Sequence, residues 1–568
     1  MLPCFPPSAR RALYQPVQAA RPKIIDCLKG YSPALFMADL GAGVTVGIVA
    51  LPLAIGFGIA SGVTPAQGLW TAIIAGLIIS LLGGSRVQIG GPTGAFVPIL
   101  SGIVAMYGYS GLALATVMAG VFLVTMGVCK AGNLIKFIPY PVIAGFTSGI
   151  AVIIFTGQLK EFLGLSIKMP RHTPEQMAAV VTHLAEANWR AVAMGAIALA
   201  CLLLWPRKWR AVPPSIIAVM VPTLLVWLLK LNVHTIGSEF GGIPSGLPRL
   251  QMPAFSFQEI HELMIPAMTI AMLGAIESLL SAMVADGMIG DRHDSNQELV
   301  AQGIANIACP LFGGIPATGA IARTATNIRS GGHTPVAGII HSITLLVVVL
   351  VAAPLAQDIP LASLSAVLFV VAYKMGEWDN FPELARTTRS DFSVLLITFG
   401  LTVFFDLTVA VGAGLAIAIT LFVRRMEEIA QVRLVTPETD LEMGGDSIRR
   451  QEIPEGVLVF RIEGPFFFGV AEKLEYALER SRAVPRVLIF RVRNVPAMDA
   501  SGLRALEHAW EKFRRRNTHV VLSGVQPQPM KILLRSGLLD RIELENICAN
   551  LDEALTRARA ILAADPAP

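Results

Sequence analysis

The sequence predicts an α-helical polytopic membrane protein with fourteen spans, arranged as a 7+7 inverted repeat and followed by a small α/β domain. Three observations support this fold class. Of 568 residues, 54% are hydrophobic and only 15% are charged, whereas about a quarter are charged in soluble domains. Long apolar segments recur up to Arg424, and after it short apolar strands alternate with amphipathic helices.

The apolar segments fall into two sets of seven that are separated by a more polar stretch. The first set covers about 35–60, 65–82, 92–106, 111–128, 137–158, 191–205 and 213–231. The second covers about 264–285, 299–312, 317–328, 335–353, 361–372, 392–405 and 407–423. We therefore expect a basic arm at 1–34, a membrane domain at 35–426 with repeats at 35–231 and 264–426, and a soluble domain at 437–562.

The positions of basic residues predict the orientation. Lys and Arg concentrate after the even-numbered segments, at Arg86, Lys130, Lys136, Arg207, Lys208, Arg210, Arg292, Arg329, Arg386, Arg389, Arg424 and Arg425. The opposite loops carry little positive charge, apart from the mixed loop at 160–190. The arm also lacks the continuous apolar core of a cleaved signal peptide. By the positive-inside rule we expect a multi-pass protein of the bacterial inner membrane with both termini in the cytoplasm.

The two halves share a motif at corresponding places. Gly90-Gly91-Pro92-Thr93-Gly94-Ala95 opens the third segment, and the run from Gly313 to Ala320 opens the tenth, which is the third of its half. Because each half has an odd number of spans, the second half must be inserted upside down. Such paired, interrupted segments point to a transporter binding site at the midplane. The alternative is a pair of ordinary kinks or turns.

These breaks have the chemistry of an anion site. A helix that begins within the membrane leaves its first N–H groups without intrahelical partners, and the macrodipole adds partial positive charge there. Glycine permits close approach of a ligand to the backbone, and the hydroxyls of Thr93 and Thr318 can donate hydrogen bonds. Arg323 lies about one turn into the tenth segment and would add a full charge. The alternative for Arg323 is snorkelling to the membrane surface.

Glu277 lies near the middle of an apolar run of about 21 residues, where a carboxylate is costly and function is the default explanation. Ser281 lies one helical turn away on the same face, and Gly274 lies three residues back, so that face is small and polar. We therefore predict a transport or coupling role for Glu277. A structural acid paired with a neighbouring helix is the alternative.

Several classes of protein are disfavoured. The sequence has no phosphate-binding loop of the GxxxxGK[ST] kind, and its six cysteines are scattered without metal-ligand spacing. His341 stands alone in its segment, where a packed polar residue is more common than a metal ligand. We expect neither an enzyme nor a cofactor, and no nucleic acid as partner.

The motifs around these residues resemble the SulP family of anion transporters. They are 273–280 (LGAIESLL), 293–299 (HDSNQEL), 302–306 (QGIAN), the break before Arg323, and 331–335 (GGHTP). The resemblance implies core and gate domains, an elevator-like movement, and a substrate held between the third and tenth segments. The predicted substrate site comprises Phe57, Thr93, Gly94, Ala95, Thr318, Gly319, Ala320 and Arg323. The predicted ion-coupling site comprises Glu277 and Ser281.

Details of the motifs bear on substrate and coupling ion. Gly91-Pro92-Thr93, Ala322-Arg323 and Leu51-Pro52-Leu53 are most similar to the proton-coupled C4-dicarboxylate branch. Leu53 replaces a Gln or Glu that some members carry, which removes one polar group. Because burial in an apolar helix disfavours a charged carboxyl, we favour H⁺ over Na⁺. A sodium-coupled bicarbonate or sulfate symporter, and an anion channel or exchanger, stay open as alternatives.

The soluble region resembles the STAS domain that ends most SulP chains, through 464–469 (GPFFFG) and 498–503 (MDASGL). Ser501 matches a phosphorylated serine of anti-sigma-factor antagonists, which makes it a possible regulatory site, although a helix N-cap is the favoured interpretation. We expect a homodimer in the lipid bilayer that transports a small inorganic or dicarboxylate anion, with a possible cytosolic partner of the STAS domain.

Overall fold

The fold is that of a computed structural model, which describes residues 21–132, 139–170, 172–206, 213–243, 246–248, 250, 257–387, 389–405, 407–429, 431–434, 453–480 and 485–564. Residues 1–20 of the predicted arm, Lys136 and the basic residues at 207–210 lie outside these ranges. The chain divides into two compact units, Met1–Ala416 and Ile417–Pro568.

The described residues of the first unit form helices with two very short strands between them. In chain order the elements up to the second strand are α1 (Lys23–Cys27), α2 (Pro33–Ala60), α3 (Pro65–Leu82), β1 (Gly90–Gly91), α4 (Val97–Val128), α5 (Tyr140–Leu163), α6 (Thr173–Thr182), α7 (Trp189–Leu204), α8 (Pro214–Leu229), α9 (Ile236–Phe240), α10 (Phe257–Ile289), α11 (Ser295–Leu311) and β2 (Thr318–Gly319). They are followed by α12 (Ile321–Arg329), α13 (Val336–Ala352), α14 (Leu361–Met375), α15 (Asn380–Thr387), α16 (Arg389–Phe404) and α17 (Leu407–Ile429). The boundary between the two units falls within α17, after Ala416.

Each of the fourteen predicted apolar segments contains one of these helices or part of one. Seven helices of the described residues are long and apolar enough to cross a membrane, and α7 and α8 are shorter apolar helices. The third and fourth segments follow one another within α4, which breaks at Gly108 (φ 64°, ψ −167°). The short or amphipathic helices α6, α9 and α15 were not predicted, because they carry no long apolar run.

The two interrupted segments meet in the structure. Strands β1 and β2 pair antiparallel, with Gly90 opposite Gly319 and Gly91 opposite Thr318. The third and tenth segments therefore become helical only at Gly94 and Ile321, later than the predicted starts at 92 and 317. Gly91 has φ +151°, a conformation that residues with a Cβ rarely adopt. The shared motif thus forms a small crossing between the two repeats.

Close helix packing depends on small residues. Where α4 crosses α11, a Cβ on Gly120 would lie 2.7 Å from the carbonyl oxygen of Gly303, and a Cβ on Gly303 would lie 2.6 Å from that of Gly120. Backbone-to-backbone contact of this kind is the usual basis of helix association in membranes, where there is no hydrophobic driving force between helices.

The helices of the first unit form two groups. Helices α2, α3, α4, α10, α11, α12 and α13 pack on one another, and α5, α7, α8, α14 and α16 form a second set of contacts. An apolar cluster that includes Phe57, Phe96, Ile150 and Leu368 joins helices of both groups. This division places the β1–β2 crossing in the first group, facing the second.

The second unit contains a five-stranded sheet of order β3–β4–β5–β6–β7. Its elements are β3 (Gln431–Leu434), β4 (Val457–Glu463), α18 (Phe468–Arg480), β5 (Val487–Asn494), α19 (Ala500–Arg514), β6 (His519–Ser523), α20 (Pro527–Arg535), α21 (Leu538–Ile542), β7 (Ile547–Cys548) and α22 (Leu551–Ala564). Strand β3 is antiparallel to β4, and the remaining pairs are parallel.

Helices cover both faces of this sheet. One face packs against α18 to α21, through residues such as Phe490 and Trp510, and the other packs against α22. The prediction of a small parallel-rich sheet covered by helices is confirmed. The sequence pattern did not predict β3, β7, α21 or α22.

Candidate functional site

A cavity of about 330 Å³ lies where the interrupted segments meet the second group of helices. Its walls come from α2, the segment that leads into α4, α5, α10, the start of α12, and α14. Seven of the predicted site residues line it, namely Phe57, Thr93, Gly94, Ala95, Glu277, Ala320 and Arg323. Leu53, the position at which the chain departs from some SulP members, also lines the cavity.

Two helices begin at this cavity, so that their first N–H groups face it. One helical segment begins at Gly94 after Thr93, and the other begins at Ile321 after Ala320. The first N–H groups of a helix have no intrahelical acceptor, and the macrodipole places partial positive charge there. The Ala320 N–H is already used, because it donates to the carbonyl of Ile89 at 2.9 Å. The N–H groups that follow it are suited to an anion.

Glu277 and Thr93 are paired at the cavity. Thr93 Oγ1 donates to Glu277 Oε2 at 2.8 Å. Glu277 is only partly buried, unlike its neighbours Ile276 and Ser278 on α10, because its carboxyl group lines the cavity. The carboxyl group is thus held at one oxygen by a neutral donor and remains accessible to a proton or an ion.

Arg323 points into the protein. Its side chain is 2% exposed, and its Nη2 donates to the carbonyl oxygen of Pro92. Its Nη1 lies beside Gly91, where a Cβ would come within 2.3 Å. This geometry contradicts the snorkelling alternative, because the guanidinium is bound to the backbone of the first interrupted segment.

The structure places the other three predicted site residues behind the cavity rather than on its wall. Thr318 Oγ1 donates to the Gly274 carbonyl at 2.9 Å, and Ser281 Oγ donates to Thr324 Oγ1 at 3.2 Å. Gly319 faces the side chain of Gln88, whose Nε2 would lie 1.5 Å from a Cβ at this position. The contacts of these three residues hold the β1–β2 crossing in place.

Two charged residues at the cavity were missed by sequence reasoning. Lys374 near the end of α14 and Glu377 just after it both line the cavity. Glu377 accepts hydrogen bonds from Tyr140 at 3.0 Å and from Asn380 at 2.5 Å. The available signal was the charge that directly follows the predicted segment 361–372.

In the second unit, Asp499 rather than Ser501 is the N-cap of α19. Its side chain accepts from the Gly502 N–H at 2.8 Å, so the interpretation of Ser501 as the N-cap is wrong. Ser501 is the second residue of the helix and is partly exposed. An Asp two residues earlier outcompetes it, because a carboxylate is a strong acceptor for the first N–H groups of a helix.

Comparison with known proteins gives the family. The sequence profile described as the sulfate permease family matches residues 36–398. The chain belongs to this family, SulP. The STAS domain profile matches residues 450–554, and both resemblances seen in the sequence are confirmed.

Individual relatives and solved structures agree with this assignment. The "Putative sulfate transporter YvdB" of Bacillus subtilis is 44% identical over 92% of this chain and 98% of its own. The transmembrane domain of a cyanobacterium bicarbonate transporter, BicA, is 33% identical, with a TM-score of 0.61 over 68% of this chain and 98% of that chain. SLC26A9 has a TM-score of 0.84 at 19% identity over 99% of this chain and 96% of that one, which shows the fold.

The predicted fold class, a helical 7+7 membrane protein with a STAS domain, is therefore confirmed. The protein is a multi-pass SulP anion transporter, and its relatives are transporters rather than enzymes. The roles of the individual cavity residues stay predictions.

Proposed function

We propose that this transporter imports a small dianion, a C4-dicarboxylate or sulfate, together with a proton. The observation that carries the proposal is the charge balance of the cavity. Among the described residues that line it, Arg323 and Lys374 are cationic, and Glu277 and Glu377 are acidic. With both acids ionised the lining is neutral, and protonation of Glu277 gives it a net charge of +1. Proton binding at Glu277 therefore favours anion binding.

The anion would lie at the two helix N-termini, beside Arg323. Free N–H groups at Gly94 and after Ala320 supply hydrogen bonds without a full charge. Arg323 supplies a full charge whose position is fixed by Pro92. Apolar side chains such as Phe57 and Phe146 complete the wall, which suits the methylene carbons of a dicarboxylate. Because the relatives YvdB and BicA are named for sulfate and bicarbonate, both anions belong in the test.

The contacts of the hydroxyl groups favour a proton over sodium. A sodium site would need several oxygen ligands around Glu277, and Ser281 is the other residue of the predicted ion-coupling site. Ser281 instead donates to Thr324, and Thr318 donates to the Gly274 carbonyl. These oxygens do not converge on the cavity. A proton needs only the carboxyl group of Glu277.

Uptake into proteoliposomes tests this proposal. Radiolabelled succinate, sulfate and bicarbonate are compared in sodium-free buffer over a pH series, with wild type and Glu277→Gln. We expect uptake of succinate or sulfate that is stimulated by external acid and is no longer pH-dependent in Glu277→Gln. Uptake that needs sodium and ignores pH would support the sodium symporter instead. Absence of counterflow would indicate a channel, because only a carrier exchanges labelled for unlabelled substrate.

A second assay examines Arg323 with anions of different charge. Arg323→Gln removes one positive charge, and the lost attraction scales with the charge of the ligand. We therefore expect KM to rise at least about tenfold for succinate, an effect of about 1.4 kcal/mol, and less for bicarbonate. Arg323→Lys is the matched variant that keeps the charge. Equal effects of Arg323→Gln on both anions would exclude Arg323 as the charge partner.

We further propose an elevator-like movement of the first helical group against the second, in a homodimer of the bacterial inner membrane with both termini in the cytoplasm. The STAS domain is proposed to regulate activity or assembly, with Ser501 as a possible phosphorylation site. Deletion after Thr436 should leave a membrane unit that inserts but has altered transport or dimerisation. Full activity and an intact dimer after truncation would exclude this role for the domain.

A further inference from the structure

His341 on α13 is a buried imidazole without a protein partner. Its side chain is 0% exposed, and neither ring nitrogen has a hydrogen-bond partner within the part of the chain that the structure describes. A buried polar group that is left unsatisfied is costly, so such groups in folded proteins usually bind an internal water. The sequence offered only a packed polar residue at this position.

Arg323 has a similar buried atom. Its Nη2 is bound to the Pro92 carbonyl, but its Nη1 is buried and has no partner among the described residues. Nη1 always carries hydrogens to donate, because a guanidinium is not deprotonated in proteins. A neutral imidazole can accept at one ring nitrogen and donate from the other. The two side chains are therefore chemically complementary.

The Arg323 guanidinium and the His341 imidazole both lie near the same face of α3. A Cβ on Gly91 would lie 2.3 Å from Nη1 of Arg323 and 3.4 Å from Cα of Ala72. A Cβ on Gly76 would lie 3.4 Å from Cδ2 of His341. Positions 72 and 76 are four residues apart, which is about 6 Å along a helix. The same Cβ on Gly76 would lie 3.5 Å from the carbonyl oxygen of Gly90, the residue before Gly91, so His341 and the Arg323 guanidinium lie beside neighbouring residues of the first break.

We propose that one buried water molecule bridges Nη1 of Arg323 and a ring nitrogen of His341. The water accepts a hydrogen bond from Nη1 and either donates to or accepts from the ring nitrogen, so it satisfies both buried atoms. His341 is then a positioning residue: together with the Pro92 carbonyl, it fixes the orientation of the guanidinium at the cavity. The consequence for anion affinity rests on the proposed function of Arg323, whereas the bridge itself does not.

The transport assay compares His341→Phe, which removes both ring nitrogens, with His341→Gln, which keeps a donor and an acceptor. We expect His341→Phe to raise KM for succinate and sulfate at least fivefold with little change in kcat, and His341→Gln to stay within about twofold of wild type. In the Arg323→Gln background, His341→Phe should change KM less than twofold. Equal effects in both backgrounds would overturn the proposal.

A packing effect is separated by Leu345→Ala, one turn further along α13. Leu345 is 0% exposed and belongs to an apolar cluster with residues of α2 and α3. This variant should lower the unfolding temperature but change KM equally in the wild-type and Arg323→Gln backgrounds. If His341→Phe behaves like Leu345→Ala, His341 acts only through packing and the bridge is wrong.

Thermal unfolding of the purified full chain tests the bridge without transport. The shifts in unfolding temperature caused by His341→Phe and Arg323→Gln should be non-additive, because either variant alone breaks the bridge. Additive shifts would overturn the bridge whatever the transport result. If KM does not respond to Arg323→Gln while the shifts remain non-additive, the anion role of Arg323 fails and the bridge stands. If His341→Phe does not fold, His341→Leu, which also lacks both ring nitrogens, replaces it in both assays.

Discussion

Thr93 Oγ1 donates a hydrogen bond of 2.8 Å to Oε2 of Glu277 across 184 positions of the sequence. Thr93 belongs to the break of the first repeat, and Glu277 to the first helix of the second repeat. The hydroxyl therefore connects the acid proposed to bind the proton with the helix N-terminus proposed to bind the anion. A change in the charge of Glu277 would therefore act directly on the residue at which the proposed anion site begins.

Thr93→Val removes this donor while keeping the shape of the side chain. The ionised carboxylate loses a hydrogen bond worth about 1.5 kcal/mol, which corresponds to about one pH unit. We expect the half-maximum of acid-stimulated uptake to move to higher pH by up to that amount. Uptake rates over a pH series measure the change, and Thr93→Ser should keep the wild-type profile. An unshifted profile in Thr93→Val would show that the bond does not act on the coupling group.

Gly91→Ala should weaken anion binding through Arg323. The added Cβ would lie 2.3 Å from Nη1 of Arg323, and the end of this flexible side chain can move away with little damage to the fold. The φ of +151° adds some backbone strain. We expect KM for succinate to rise by about the same factor as in Arg323→Gln, because each change removes the charge from its position.

Gly102→Ala is the control for this prediction, because a Cβ there meets nothing within 4 Å. It should leave both KM and the unfolding temperature close to wild type. The two changes Gly91→Ala and Arg323→Gln should also be non-additive in KM. Additive effects would mean that Gly91 acts on the site independently of Arg323.

The two glycines of the predicted anion site should respond differently to alanine. A Cβ on Gly94 would meet side-chain atoms of Ile154, Phe57 and Met375 at 2.9 to 3.4 Å, which can adjust at the cavity wall. A Cβ on Gly319 would lie 1.5 Å from Nε2 of Gln88. We therefore expect Gly94→Ala to raise KM in a folded protein, and Gly319→Ala to lower the unfolding temperature.

The lower unfolding temperature expected of Gly319→Ala follows from the contacts of Gln88. Its Nε2 donates to the Ser278 carbonyl at 3.0 Å, and displacement would break a buried hydrogen bond worth about 1 kcal/mol and leave the buried amide group of Gln88 without this acceptor. Thermal unfolding and uptake on the same preparations separate the two glycines. If Gly319→Ala were stable but impaired in anion binding, Gly319 would have to act at the cavity wall, contrary to this prediction.

Asp291, which lies outside the membrane-spanning helices, should make the stability of the fold depend on pH. It lies 3.4 Å from Lys23 Nζ and 3.7 Å from Arg86 Nη1. Burial by itself raises its pKa, but the Arg292 backbone N–H and the charges of Lys23 and Arg86 outweigh burial, so the pKa is lowered overall. A lowered folded pKa stabilises the fold above the unfolded value of about 3.9, and this contribution disappears as the pH falls through the folded pKa.

Asp291→Asn should therefore reduce stability at pH 7 by about 0.5 to 1 kcal/mol. The difference from wild type should shrink as the pH falls below about 4. Thermal unfolding in detergent at several pH values measures this. Lys23→Gln should add little in the Asp291→Asn background, since the partner is already lost. A difference that is constant with pH would show that the charge of Asp291 is not involved.

The sequence predicted that the two breaks form one site, because two copies of Gly-Gly, Pro and Thr-Gly-Ala at matching places are a strong local signal. The antiparallel pairing of Gly90 with Gly319 was not predicted. Glu277 and Arg323 were found because a charge in an apolar segment is conspicuous. Local composition was sufficient for these features.

The remaining features depend on which groups face one another in three dimensions. Lys374 and Glu377 belong to the other helical group and lie just beyond an apolar segment, where charge is common and does not by itself indicate a site. The hydroxyl of Thr318 could have faced the cavity or the adjacent helix, and only the packing of α10 shows that it binds the Gly274 carbonyl. The short helix α15 was likewise not predicted, because its amphipathic sequence contains no long apolar run.

The pairing of β1 with β2 also constrains how the chain is made. Thr318 and Gly319 are synthesised more than two hundred residues after Gly90 and Gly91, so the extended backbone of the first break has no strand partner while the first repeat is inserted. Unpaired backbone groups are not tolerated in contact with lipid. The first repeat must therefore keep this stretch sheltered by protein or water until the tenth segment arrives.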